Sequence, residues 1–97
     1  MTFPSFDAQW VANRDGIAFD GDYDGRAVRF LITREALGLV TGEQVEGLKG
    51  RNAVYLFQDN RERVLPIAHS VWSRLLDPSK TVLIDRSEIV WDPAGEA

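Results

Sequence analysis

Ile17-Ala18-Phe19-Asp20-Gly21-Asp22-Tyr23-Asp24-Gly25-Arg26-Ala27-Val28-Arg29-Phe30-Leu31-Ile32 decides the fold. Ile17 and Phe19 alternate with Ala18 and Asp20, and Val28, Phe30 and Ile32 alternate with Arg29 and Leu31, the period-two pattern of half-buried strands. The stretch therefore predicts a β-hairpin, with the aspartate-glycine run as its connection. That run also spells the first half of a calcium loop, because Asp20, Asp22 and Asp24 place carboxylates at alternate positions before Gly25. Its twelfth place is Leu31, where such a loop needs a bidentate acid. A weak cation site completed by water is one expectation; a charged hairpin connection is the other.

Outward on the N-terminal side, Asn13-Arg14-Asp15-Gly16 is turn chemistry, so Gln9 to Ala12 reads as a short extended piece carrying Trp10 onto the core. Phe3 and Phe6 read as anchors of the arm. On the other side, Thr33 suits the N-cap of a helix from Arg34 to Val40, with Glu35 where the helix dipole favours an anion and Gly42 at the end. Thr41 and Gln44 suggest a capping box for a further brief helical turn. From Asn52 to Leu76 apolar residues recur at helical spacing, which predicts one long main helix, kinked or broken by the solvent-facing Pro66. Thr81 to Ile84 reads as a strand. Asp85 with Glu88 reads as the cap of a last turn running through Ile89 and Val90.

These pieces predict an α+β domain in which the hairpin and the C-terminal strand form a small antiparallel sheet, packed against the long helix and short helices. A chain of 97 residues suits a single domain over 1–97, with its core within about 3–90 and a loose tail at 92–97. Hydrophobic content of 44% and charged content of 27% are globular values. No apolar run is long enough for a membrane helix, and no secretory signal opens the chain. The absence of cysteine removes disulfides, thiol catalysis and thiolate metal sites, and points to a reducing cytoplasmic location. A net charge of −4 disfavours nucleic acid.

Arg61 falls within the apolar stripe of the main helix, so its guanidinium must be paired or reach solvent. It is either a structural residue bonding a carboxylate or free carbonyls, or an anion contact; Asn60 beside it suits similar bridging. His69 projects to the solvent side and has no second histidine, cysteine or serine elbow to make a metal cluster or triad. Trp72 borders the stripe and reads as core, whereas Trp91 reads equally as core or interface.

The run Trp10-Val11-Ala12-Asn13-Arg14-Asp15-Gly16-Ile17-Ala18-Phe19, then Gly25 with Val28 to Ile32, then Arg34-Glu35-Ala36-Leu37, then Phe57 to Val64 with Ala68, resembles the small bacterial family called domain of unknown function 1488. The segment Phe57, Asn60, Arg61 and Ala68 is its most specific part. The resemblance spans about residues 3 to 90 and implies a small α+β fold in a cytoplasmic bacterial protein, with no activity attached. The family pattern implies a continuous helix where Pro66 stands. Functionally, scattered ionisable residues and the lack of a nucleophile point to a non-enzymatic protein-interaction or regulatory module, with an unknown protein partner or self-association. A calcium-binding module is the alternative, and a nucleic-acid accessory protein the third. No other cofactor is expected.

Overall fold

In the computed structural model, residues 2–3, 8–75 and 80–89 are described. Four strands form one sheet in the order β1-β2-β3-β4: β1 is Gln9–Val11, β2 Gly16–Tyr23, β3 Arg26–Thr33 and β4 Val82–Ile84. Three α-helices, α1 (Arg34–Thr41), α2 (Gly50–Asp59) and α3 (Arg61–Ser73), lie between β3 and β4. The α+β class expected from the sequence is the class found.

The hairpin is β2–β3, with Phe19 opposite Phe30 and Ile17 opposite Ile32. Its connection is shorter than the aspartate-glycine run: Tyr23 pairs with Arg26, so only Asp24 and Gly25 form the turn. Both have positive φ, 53° and 78°, the signature of the two-residue turn whose twist matches its strands. Asp20 and Asp22 are strand residues.

The last strand differs from expectation. β4 pairs with β3 in parallel, Phe30 with Val82 and Ile32 with Ile84, so the sheet is mixed and not wholly antiparallel. The physical reason is the connection: a strand reached through helices that cross one face of the sheet can return in the same direction, which a tight turn cannot achieve.

The main helix is also divided, and at Asn60 instead of Pro66. The Asn60 side-chain amide donates to the Leu56 carbonyl at 2.9 Å, taking the acceptor that its own backbone N–H would use in an unbroken helix. That N–H turns to the Phe57 carbonyl at 3.1 Å. Pro66 lies inside α3 on its exposed side, where water can serve the Glu62 carbonyl that the proline ring leaves without a donor. Because a single residue separates the two helices, the apolar stripe keeps its phase across the break: Ala53 and Phe57 on α2, and Val64, Ala68 and Val71 on α3, are all buried.

The three helices cover one face of the sheet. Ile17, Phe19, Val28, Phe30, Ile32, Val82 and Ile84 from the strands meet Ala36, Leu37, Phe57, Val64 and Ala68 from the helices in one core. Trp10 and Phe3 pack against it, and so does Trp72, partly buried. Replacing Phe57 by alanine is expected to cost about 3–5 kcal/mol, the range for deleting a buried aromatic. Pro66→Ala should instead stabilise, by less than the ~3 kcal/mol difference in helix propensity. Urea midpoints at unchanged m-value measure both, and a destabilised Pro66→Ala variant would refute the account of the break.

Candidate functional site

Thr33 caps α1, its hydroxyl accepting from the Ala36 N–H at 3.1 Å. At the other end Gly42 takes φ 74° and returns its N–H to the Gly38 carbonyl at 2.8 Å, which stops the helix and turns the chain back along it. The Thr41 hydroxyl donates to the Leu37 carbonyl at 2.9 Å and accepts from the Glu43 N–H at 3.2 Å. The expected capping box with Gln44 does not form, and the chain continues as a loop.

Gly38 brings this loop close. A Cβ there would stand 2.8 Å from a Val45 methyl, so only glycine admits the Val45 side chain against the helix. Arg34 ties the loop down: one guanidinium nitrogen donates to the Val45 carbonyl at 3.2 Å, the other to the Asp15 carboxylate at 3.1 Å. The result is a groove of about 550 Å³ lined by Leu39 and Val45 between Glu35, Glu43 and Glu46. Leu39 is 58% exposed although it sits in the middle of a helix. Glu35 also holds Arg86 at 2.9 Å, which joins the groove to the turn after β4.

That turn, a 3₁₀ segment at Arg86–Glu88, is capped by Asp85, whose carboxylate accepts from the Ser87 hydroxyl and from the Ser87 N–H at 3.0 Å. The Ser87 hydroxyl bond, with the backbone N–H groups of Ser87 and Glu88, holds the Asp85 carboxyl below its ordinary range against the opposing effect of burial. Arg74, at the C-terminal cap of α3, pairs with Glu88 at 3.0 Å and anchors the other side.

The residues singled out in the sequence lie elsewhere and do not converge. Asp20 pairs with Arg29 directly across the hairpin at 2.8 Å. Asp22 is in β2, its backbone bridged to Thr2, and Asp24 is in the turn. Alternate strand positions lie ~6.6–6.8 Å apart, and Asp24 bends away in a left-handed conformation, so the three carboxylates do not wrap a point as loop ligands do. Among the described residues no group of three or more histidine, aspartate or glutamate side chains is placed to hold a metal.

Arg61 donates to the Phe3 carbonyl at 2.7 Å, across 58 residues of chain. This bond holds Phe3, whose ring lies 5.6 Å from Phe30 and 6.3 Å from Phe19. Asn60 provides the helix break described above. Trp91 lies outside the described residues, as do Phe6 and Val90. His69 is exposed and stacks on Trp72, centroids 5.9 Å apart, while the Tyr23 ring is tilted against Trp72 with centroids 4.6 Å apart. Sequence reasoning missed the groove; its available signal was Gly38, a glycine inside an otherwise sound helix.

The family model described as "Protein of unknown function (DUF1488)" matches residues 1–81. The chain belongs to this family. The matched span includes the hairpin, all three helices and every residue that lines the groove, while Arg86 lies beyond it. No curated protein and no solved structure matches the chain. Among the described residues no helix is long and apolar enough to cross a membrane.

Arg61→Leu should destabilise the domain by about 1–3 kcal/mol through the orphaned Phe3 carbonyl and the lost charge-assisted bond. The exposed Arg63→Leu should stay within ~0.5 kcal/mol, and equal effects in thermal melts would contradict the structural role. A second expectation concerns acid. Since folding lowers the Asp85 pKa, its contribution is complete above the ordinary carboxylate value of ~3.9 and is lost as pH falls through the lower folded value. The stability gap between wild type and Asp85→Asn should therefore shrink below pH ~3.9; a gap independent of pH would refute it.

Proposed function

We propose that this chain is a non-enzymatic protein-interaction module of the bacterial cytoplasm, and that the groove between α1 and the 42–46 loop is its recognition surface. The observation that carries this reading is Leu39, more than half exposed in the lining of a groove whose loop wall the Gly38–Val45 contact and the Arg34 tether hold in place. An apolar side chain presented in a preformed concavity is how interfaces place their anchors, and preformation reduces the entropy lost on binding. The ionisable residues support a binding role over catalysis: Asp15, Asp20, Glu35 and Glu88 are each committed to an arginine. The lack of cysteine suits a reducing compartment.

The test is site-specific photo-crosslinking in the native cell. A photoreactive residue at position 39 should give a discrete adduct with one protein, identified by mass spectrometry, while the same residue at the solvent-facing position 63 should not. The reading fails if position 39 yields no adduct, or if both positions yield the same background.

A further inference from the structure

The groove is lined by two apolar side chains, Leu39 and Val45, and by three acidic ones, Glu35, Glu43 and Glu46, and this combination selects among partners. Leu39 and Val45 supply the apolar part; Glu43 and Glu46 are exposed on the loop side and Glu35 stands on the helix side. No basic residue lines it. One cation already visits the rim: Arg86, from the turn after β4, bonds Glu35 at 2.9 Å. Both side chains of that pair are largely exposed, 71% and 62%, so the pair is only weakly stabilising and open to exchange.

Resting on the reading of the groove as a recognition surface, we propose that its occupant is a cationic amphipathic segment of another protein, which sets an apolar residue beside Leu39 and its lysine or arginine side chains against Glu35, Glu43 and Glu46. Arg86 then acts as an internal competitor. Its guanidinium occupies on Glu35 the position that a partner's cation would take, and binding exchanges one ion pair for another. The acidic side chains beside the two apolar ones give the partner its orientation and reject acidic segments, since like charges facing across a contact cost affinity. The chain's net charge of −4 steers such a partner from a distance at low salt.

The experiment is an NMR titration of the full chain with three amphipathic peptides of one length: leucine with lysine, leucine with glutamine, and leucine with glutamate. The lysine peptide should shift the amides of residues 35–46 saturably, and its affinity should fall as salt rises from ~50 to ~500 mM, where screening shortens to a few ångströms. Glu43→Lys with Glu46→Lys should weaken it about tenfold, from two exposed charge contacts reversed, without moving the thermal midpoint. Arg86→Gln should tighten it about two- to threefold.

Equal binding of the glutamine or glutamate peptide at 35–46 overturns the cationic partner while leaving the groove as a recognition surface. Shifts confined to other residues, or no shifts with any peptide, overturn both. Unchanged or weaker binding by Arg86→Gln overturns the competition at Glu35. Concentration-dependent shifts at 35–46 without peptide, with a dimer in sedimentation, would assign the groove to a second copy and overturn the proposal.

Discussion

Phe19 and Phe30 stack across the β2–β3 pair with centroids 5.2 Å apart and planes only 9° from parallel, and Phe57 of α2 closes on Phe19 at 4.8 Å. Phe3 tilts against both strand rings from the N-terminal arm. This aromatic contact joins hairpin, helix and arm in one place, and each neighbour of it is constrained in turn. The hairpin register is fixed because a slip of one residue would turn Phe19 and Phe30 away from the helices. Phe3 is fixed because Arg61 holds its carbonyl while its ring packs against Phe19 and Phe30. Aromatic pairs of this kind add to the area they bury, so the cluster concentrates stabilisation near the centre of the sheet.

The helical layer has to follow that sheet, and the break at Asn60 lets it. Two shorter helices joined by one non-helical residue can lie at different angles while their apolar stripe remains continuous. α2 contacts β1 and β2, whereas α3 contacts β4 and α1, so the layer spans the sheet from edge to edge. Asn60 supplies the break by substituting its side chain for a backbone donor, and its carbonyl receives the Arg63 and Val64 N–H groups at 2.9 and 3.2 Å at the start of α3. Arg61, next in sequence, is thereby placed to reach the arm.

The groove arises at the periphery from the same economy of parts. Arg34 bonds the 45 carbonyl and Asp15, so the loop after α1 is tied both to its own helix and to the turn before β2. Glu35, its neighbour, reaches the turn after β4 through Arg86. Adjacent residues at the start of one helix therefore connect three loops that are distant in sequence, and the rim of the groove is built from those connections. Surface pairs of this kind contribute little stability individually; their effect here is positional.

The hairpin, the short first strand, the extent of α1 and the buried residues Phe57, Val64, Ala68 and Val71 of the helical region were legible in the sequence, because each rests on local periodicity or capping chemistry at Ile17–Ile32, Trp10, Thr33 and the Phe57–Val71 stripe. The family resemblance was carried by the same residues. The division of the main helix was not legible, since a one-residue break preserves the phase by which helices are recognised, and Pro66 was the more conspicuous interruption. The parallel pairing of β4 depends on where three helices deliver the chain. The distribution of Asp20, Asp22 and Asp24 depends on register: Tyr23 opposite Arg26 shortens the connection to two residues and gives Asp20 to Arg29. The groove depends on Val45 finding Gly38 seven residues earlier. Sequence by itself determined which residues are apolar, where they alternate and where α1 begins, because those are properties of a few neighbouring residues. The tertiary structure alone decided strand direction, the fate of each carboxylate and the existence of the groove, because these depend on contacts between segments whose separation along the chain no local pattern encodes.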